Sequence, residues 1–121
     1  MKRAPSDVPP ERQRQFDLIE AATGKTLQWA RERCLGLVHI YPMVPFVETD
    51  FSLAAWLFLD QDSRISTYRS DGTAQLIEQR FCEALIAVGY PPEWLTGVKF
   101  HYGSKETVDR DYQGSYFYFL R

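Results

Sequence analysis

The chain has 121 residues, near the commonest single-domain size, at which one core buries roughly two-thirds of the surface the unfolded chain exposes. Hydrophobic residues at 45% and charged residues at 25% are the make-up of an ordinary globular protein, which argues against disordered, fibrous and membrane-spanning classes. A net charge of −2 argues against a partner held mainly by phosphate neutralisation, so nucleic acid is not the expected ligand.

Aromatic residues reach 15%, and buried rings contribute enough contact area for a short chain to be stable without disulfides. Cys34 and Cys82 each sit in an apolar-patterned segment, where a free cysteine is expected to pack as a small hydrophobe. Lys2 and Arg3 are not followed by an apolar run, and no stretch approaches the ~20 apolar residues of a membrane span. The expectation is one cytoplasmic domain over residues 1–121, with residues 1–8 as a flexible N-terminal arm.

Pro9 and Pro10 suit a helix start, because the missing proline N–H has no partner in the first turn. Phe16, Ile19, Thr23, Leu27, Ala30 and Cys34 recur at spacings of three and four, predicting a helix over 10–34 with Gly24 as a candidate break. Residues 36–47 are rich in Val, Ile, Tyr and Phe but carry Pro42 and Pro45, which deny ladder donors and predict an irregular edge strand. The apolar run 53–59, bounded by Asp50 and Asp60, predicts a central strand. Turn chemistry over 60–63 and the alternation of Ile65 and Thr67 predict a hairpin partner over 64–69. Leu76, Ile77, Phe81, Ala84, Leu85 and Val88 then form a broad helical stripe, capped by Ser70 or Asp71 and ended by Gly89. Its expected seat is the sheet face carrying Trp56 or Phe58.

Residues 91–95 read as one helical turn, followed by a strand over 98–102 in which Val98, Phe100 and Tyr102 share a face. A polar, capped helical turn over 104–112 and an aromatic final strand over 115–121 complete the chain. The fold class that follows is α+β, a mainly antiparallel sheet of four or five strands packed by two or three helices.

Motifs for chemistry are incomplete. Thr23-Gly24-Lys25-Thr26 ends like a phosphate loop, but Ile19 stands where the earlier glycine belongs and the preceding segment is helical. Asp60 and Asp62 open like a calcium loop, yet Arg64 and Ile65 occupy a ligand position and the glycine position. No nucleophile motif is present, and His39 and His101 lack metal-motif neighbours. Those two histidines are the basis of an alternative reading as a small enzyme, should they meet across the sheet beside a carboxylate. The aromatic alternation over 113–119 resembles a base-stacking strand but lacks the basic position and the βαββαβ order. No cofactor and no metal are expected.

Acidic residues fall into two groups: Glu48, Asp50, Asp60 and Asp62 around the ends of the central strand, and Glu106, Asp109 and Asp111 before the last one. Beside the ordinary reading as solvated loops, the first group reads as an anionic docking surface for a basic protein.

The last third runs from Tyr90-Pro91-Pro92 through Val108-Asp109-Arg110-Asp111-Tyr112 to Gly114 and the aromatic stretch Ser115 to Arg121. It resembles small bacterial proteins, some of which in turn resemble immunity proteins of polymorphic toxin and contact-dependent inhibition systems. The resemblance covers about a quarter of the chain and transfers no site residue. It implies a stable, non-enzymatic, cytoplasmic protein that neutralises a partner toxin by stoichiometric binding. A third expectation is an adaptor or homo-oligomer that dimerises through its aromatic terminal strand.

Overall fold

Residues 8–121 are described by a computed structural model, so most of the expected N-terminal arm, residues 1–7, lies outside the described residues. Pro10 opens helix α1 (Pro10–Glu32), which runs through Gly24 unbroken. Its buried residues are Arg12, Gln15, Ile19, Ala22, Thr26, Trp29 and Ala30, again at spacings of three and four. The buried stripe is therefore rotated from the apolar one: Phe16 is exposed, while three polar side chains face inward. The helix closes with Leu35 N–H donating to Ala30 O at 2.9 Å and Cys34 N–H to Arg31 O at 3.1 Å, the paired bonds of a Schellman cap. Cys34 occupies the left-handed position of that cap at φ 56° and is exposed, so it is not the packed helical cysteine the pattern predicts.

Strand β1 (Leu37–Met43) pairs antiparallel with β2 (Ala54–Leu59). A bulge at Val38 shifts the alternation, so that Leu37 and Ile40, three residues apart, both reach the core face. Strand β2 is central, as the apolar run predicts. Residues 64–69 are not a strand: they lie in helix α2 (Asp62–Asp71). Six residues with one strong hydrophobe fit either period. Here the three-residue spacing wins, because it places Ile65 and Tyr68 together against the core and leaves Ser66, Thr67 and Arg69 outside.

Gly72, at φ 87°, joins α2 to α3 (Thr73–Ala87), which ends in a second Schellman cap at Gly89. One turn, α4 (Pro92–Leu95), precedes β3 (Lys99–Ser104). The crossover makes β3 parallel to β2, so the sheet is three-stranded and mixed, in the order β1-β2-β3. The class is α+β, but the expected four or five antiparallel strands reduce to three. Two of the expected strands are helical instead: 64–69, and the terminal one.

The chain ends with α5 (Lys105–Asp111) and a single turn, α6 (Tyr116–Phe119). Gln113 and Gly114 both take positive φ, and Ser115 Oγ accepts the Tyr118 N–H at 3.2 Å, so the aromatic run coils rather than extends. Coiling puts Tyr116 and Phe119 on one side, where both pack against Phe58.

The sheet thus has two apolar faces. Helices α1 and α3 cover one, with Ile19, Ala22, Ile77, Phe81 and Leu85 packed against Ala55, Leu57 and Leu59. Trp56 and Phe58 point the other way, so α3 does pack on the sheet but on the face opposite these two rings. On the second face Phe58 is fully buried among His39, Tyr116 and Phe119. That contact requires Gly103 on β3, where a Cβ would lie 2.7 Å from the Phe58 ring.

Candidate protein interface

The four acidic residues singled out in the sequence lie at opposite ends of β2, about 20 Å apart by the rise of a six-residue strand. Asp60 and Asp62 occupy the C-terminal end and are engaged within the molecule. Asp60 pairs with Arg64 at 2.7 Å. Asp62 accepts hydrogen bonds from Ser104 Oγ, from Thr107 Oγ1 at 2.5 Å and from Arg110 at 3.4 Å, and these hold its carboxyl below the usual range. Ser104 Oγ also caps α5 through the Thr107 N–H at 3.0 Å, while Glu106 accepts the Asp62 N–H at 2.8 Å and so caps α2. The start of α5 thus caps its own helix through Ser104 and α2 through Glu106, with the Asp62 carboxylate bridging the Ser104 and Thr107 hydroxyls. The hydroxyls and carboxylates that look most like chemistry are consumed by that task.

Glu48 and Asp50 lie at the other end, in the loop of residues 44–53 that joins β1 to β2. Asp50 Oδ1 accepts from Ser52 N–H at 3.0 Å and Ser52 Oγ at 2.5 Å, a local turn that lowers the Asp50 pKa. Beneath the loop lies Arg12, from the first turn of α1 and only 5% exposed. Its guanidinium donates to Val47 O at 2.7 Å, Asp50 O at 2.9 Å, Pro45 O at 3.3 Å and Gln15 Oε1 at 2.5 Å, and it lies 5.2 Å from the centre of the Phe51 ring. Gln15, fully buried, donates in turn to Phe51 O at 3.1 Å and Tyr90 Oη at 2.9 Å. A fixed cation thus organises the loop backbone from below.

The consequence appears one residue along. Arg12 holds the carbonyls of Pro45 and Val47, which flank Phe46, and the Phe46 side chain projects into solvent at 104% relative exposure. Val47 and Met43 are exposed beside it. Neither Arg12 nor Phe46 stands out in the sequence. The hint for Arg12 is that Arg12, Gln15, Ile19, Ala22, Thr26 and Trp29 keep helical spacing as well as the apolar series does; Phe46 is hidden in a segment that reads as strand.

His39 and His101 both face the second side of the sheet, but β2 separates their strands, about 10 Å across two interstrand spacings. His39 lies 4.3 Å from the Tyr116 ring, and burial pushes its pKa down. His101 stacks on Trp56 at 5.0 Å. The two do not form the pair that an acid–base reading requires. Among the described residues no three His, Cys, Asp or Glu side chains group as a metal site, and no helix is long and apolar enough to cross a membrane. Comparisons of the chain with family models, with curated proteins and with solved structures found no match.

Proposed function

We propose that the protein is a non-enzymatic binding module, of the kind that neutralises a toxin by one-to-one association, and that the loop of residues 44–53 is its contact surface. The observation that carries this reading is the exposed Phe46 on a backbone clamped by Arg12. With the backbone beside it already held, binding has only the ring's own rotamers left to order, and exposed aromatic anchors of this kind dominate interface energetics. Glu48 and Asp50 place negative charge on the same loop, which favours a basic partner and speeds its encounter at low salt. Asp60 and Asp62, paired with Arg64 and Arg110 at the far end of β2, fall outside the contact proposed for this loop.

The test is titration of the chain against the product of a toxin-domain gene neighbouring its own. Expected are a one-to-one complex, loss of at least about tenfold in affinity with Phe46→Ser, and slower low-salt association with Glu48→Gln plus Asp50→Asn. A complex indifferent to all three changes refutes the assignment of the loop. A hydrolytic or transfer activity abolished by His39→Ala or His101→Ala refutes the binding-module reading.

A further inference from the structure

Beside Phe46 the surface is hollow. Met43, Val44, Pro45, Leu53 and Ala54 line a mostly apolar groove of about 360 Å³, within the size range of ligand pockets, with Ser52 and Lys99 as its polar residues. Phe46 follows directly on Pro45 yet does not fill this groove: its ring stands in solvent, on a stretch of backbone whose Pro45 and Val47 carbonyls accept from Arg12. A projecting aromatic side chain and an apolar hollow are thus neighbours on one surface.

We propose that a second copy of this chain occupies the groove, each copy inserting its Phe46 into the groove of the other across a two-fold axis. Adjacency of knob and hollow favours a closed pair: when the two lie side by side, a single two-fold rotation satisfies both, whereas distant ones generate open chains. Charge agrees. The groove is rimmed by Lys99, and the loop that delivers Phe46 carries Glu48 and Asp50, so the docked loop brings anions to the partner's cation. Self-association would bury Phe46, Val47 and Met43, three exposed apolar side chains of this loop and the strand end before it.

The inference uses the contact loop proposed above but not its toxin partner, and the two fail separately. Sedimentation velocity of the chain alone, from about 10 to about 500 μM, is expected to show a reversible dimer of twice the 14.1 kDa monomer mass. Phe46→Ser should raise the dimer dissociation constant at least about tenfold, with the thermal transition of the monomer unchanged because the ring is fully exposed. Lys99→Glu, an exposed change on β3, should weaken the dimer most at low salt. A chain that stays monomeric throughout, or a dimer that ignores both substitutions, overturns the proposal. A monomer that still loses its toxin on Phe46→Ser overturns the dimer and leaves the binding reading standing.

Discussion

Replacing Arg12 tests the clamp on which the interface depends. Its two short bonds to the loop, 2.7 Å to Val47 O and 2.9 Å to Asp50 O, are charge-assisted, and at about 1.5 kcal/mol each they make the loop contribution roughly 3 kcal/mol. The 3.3 Å bond to Pro45 O is the weakest of the three: it helps to orient that peptide and adds less to the sum. Against this stands the cost of burying a guanidinium whose hydrogen bonds run to carbonyls, so Arg12→Met, which keeps most of the packing volume, separates the two effects. If hydrogen bonding dominates, Arg12→Met and Arg12→Ala both lower the unfolding free energy in urea by about 2–4 kcal/mol without changing the m-value. Hydrogen exchange should quicken at the amides of residues 46–52 in both variants while those of β2 stay protected. A loss below about 1 kcal/mol in Arg12→Met would show that desolvation cancels the clamp, and unchanged loop exchange would refute its role in holding Phe46 outward.

Gly103→Ala should cost roughly 1–3 kcal/mol in thermal unfolding, because the new methyl meets the Phe58 ring at 2.7 Å and the Phe119 ring at 3.1 Å with no room on either side. Cys34→Gly should stabilise by about 0.5–1 kcal/mol, since it relieves a left-handed non-glycine residue in a cap that α3 closes with glycine; an unchanged melting point would show that the φ of 56° carries no strain. His39 is held neutral by burial among Phe58, Tyr41 and Tyr116, so its folded pKa lies below 6.5 and the unfolded chain takes the proton first. Stability should therefore fall as pH drops from neutrality through 6.5, and His39→Gln should flatten that part of a melting-temperature profile. Phe81→Ala should cost about 3–5 kcal/mol, measured by urea unfolding, as the ring is fully buried between α3 and the sheet.

Long elements with one strong period were legible in the sequence. The stripe through Phe81 and Leu85 and the run 53–59 are the main helix of the core and its central strand, because hydrophobic spacing and burial coincide there. Short segments were not. Ile65 and Thr67 alternate, and so do the rings from Tyr116 to Phe119, yet each stretch is too brief for periodicity to separate helix from strand. What decides them is tertiary: Glu106 caps α2 from across the fold, Ser104 caps α5 while bonded to Asp62, and Phe58 offers a seat to residues three apart. The parallel pairing of β3 was missed for the same reason, since reading 64–69 as a hairpin partner made the helix through Leu76 and Val88 the crossover from that strand and not from β2.

The acidic residues were visible as charge but not as partners. Sequence spacing marks Asp60 and Asp62 as a turn pair; Asp60 pairs with Arg64 only four residues on, whereas Thr107 and Arg110, the partners of Asp62, lie more than forty residues on and are brought there only by the parallel β3 and the helix that follows it. Arg12 is the converse case, a charge that reads as solvent-facing and is buried. An apolar residue at position 12 would fill the same space. It would also leave the carbonyls of Pro45, Val47 and Asp50 without a donor, and the loop would have to turn them to water to recover the loss. Any such turn rotates the Pro45–Phe46 and Val47–Glu48 peptides, between which Phe46 sits, and shifts the backbone that carries its ring. The buried guanidinium and the exposed phenyl are thus one device: polar bonding inside the fold fixes an apolar side chain outside it, and the binding proposals rest on that coupling.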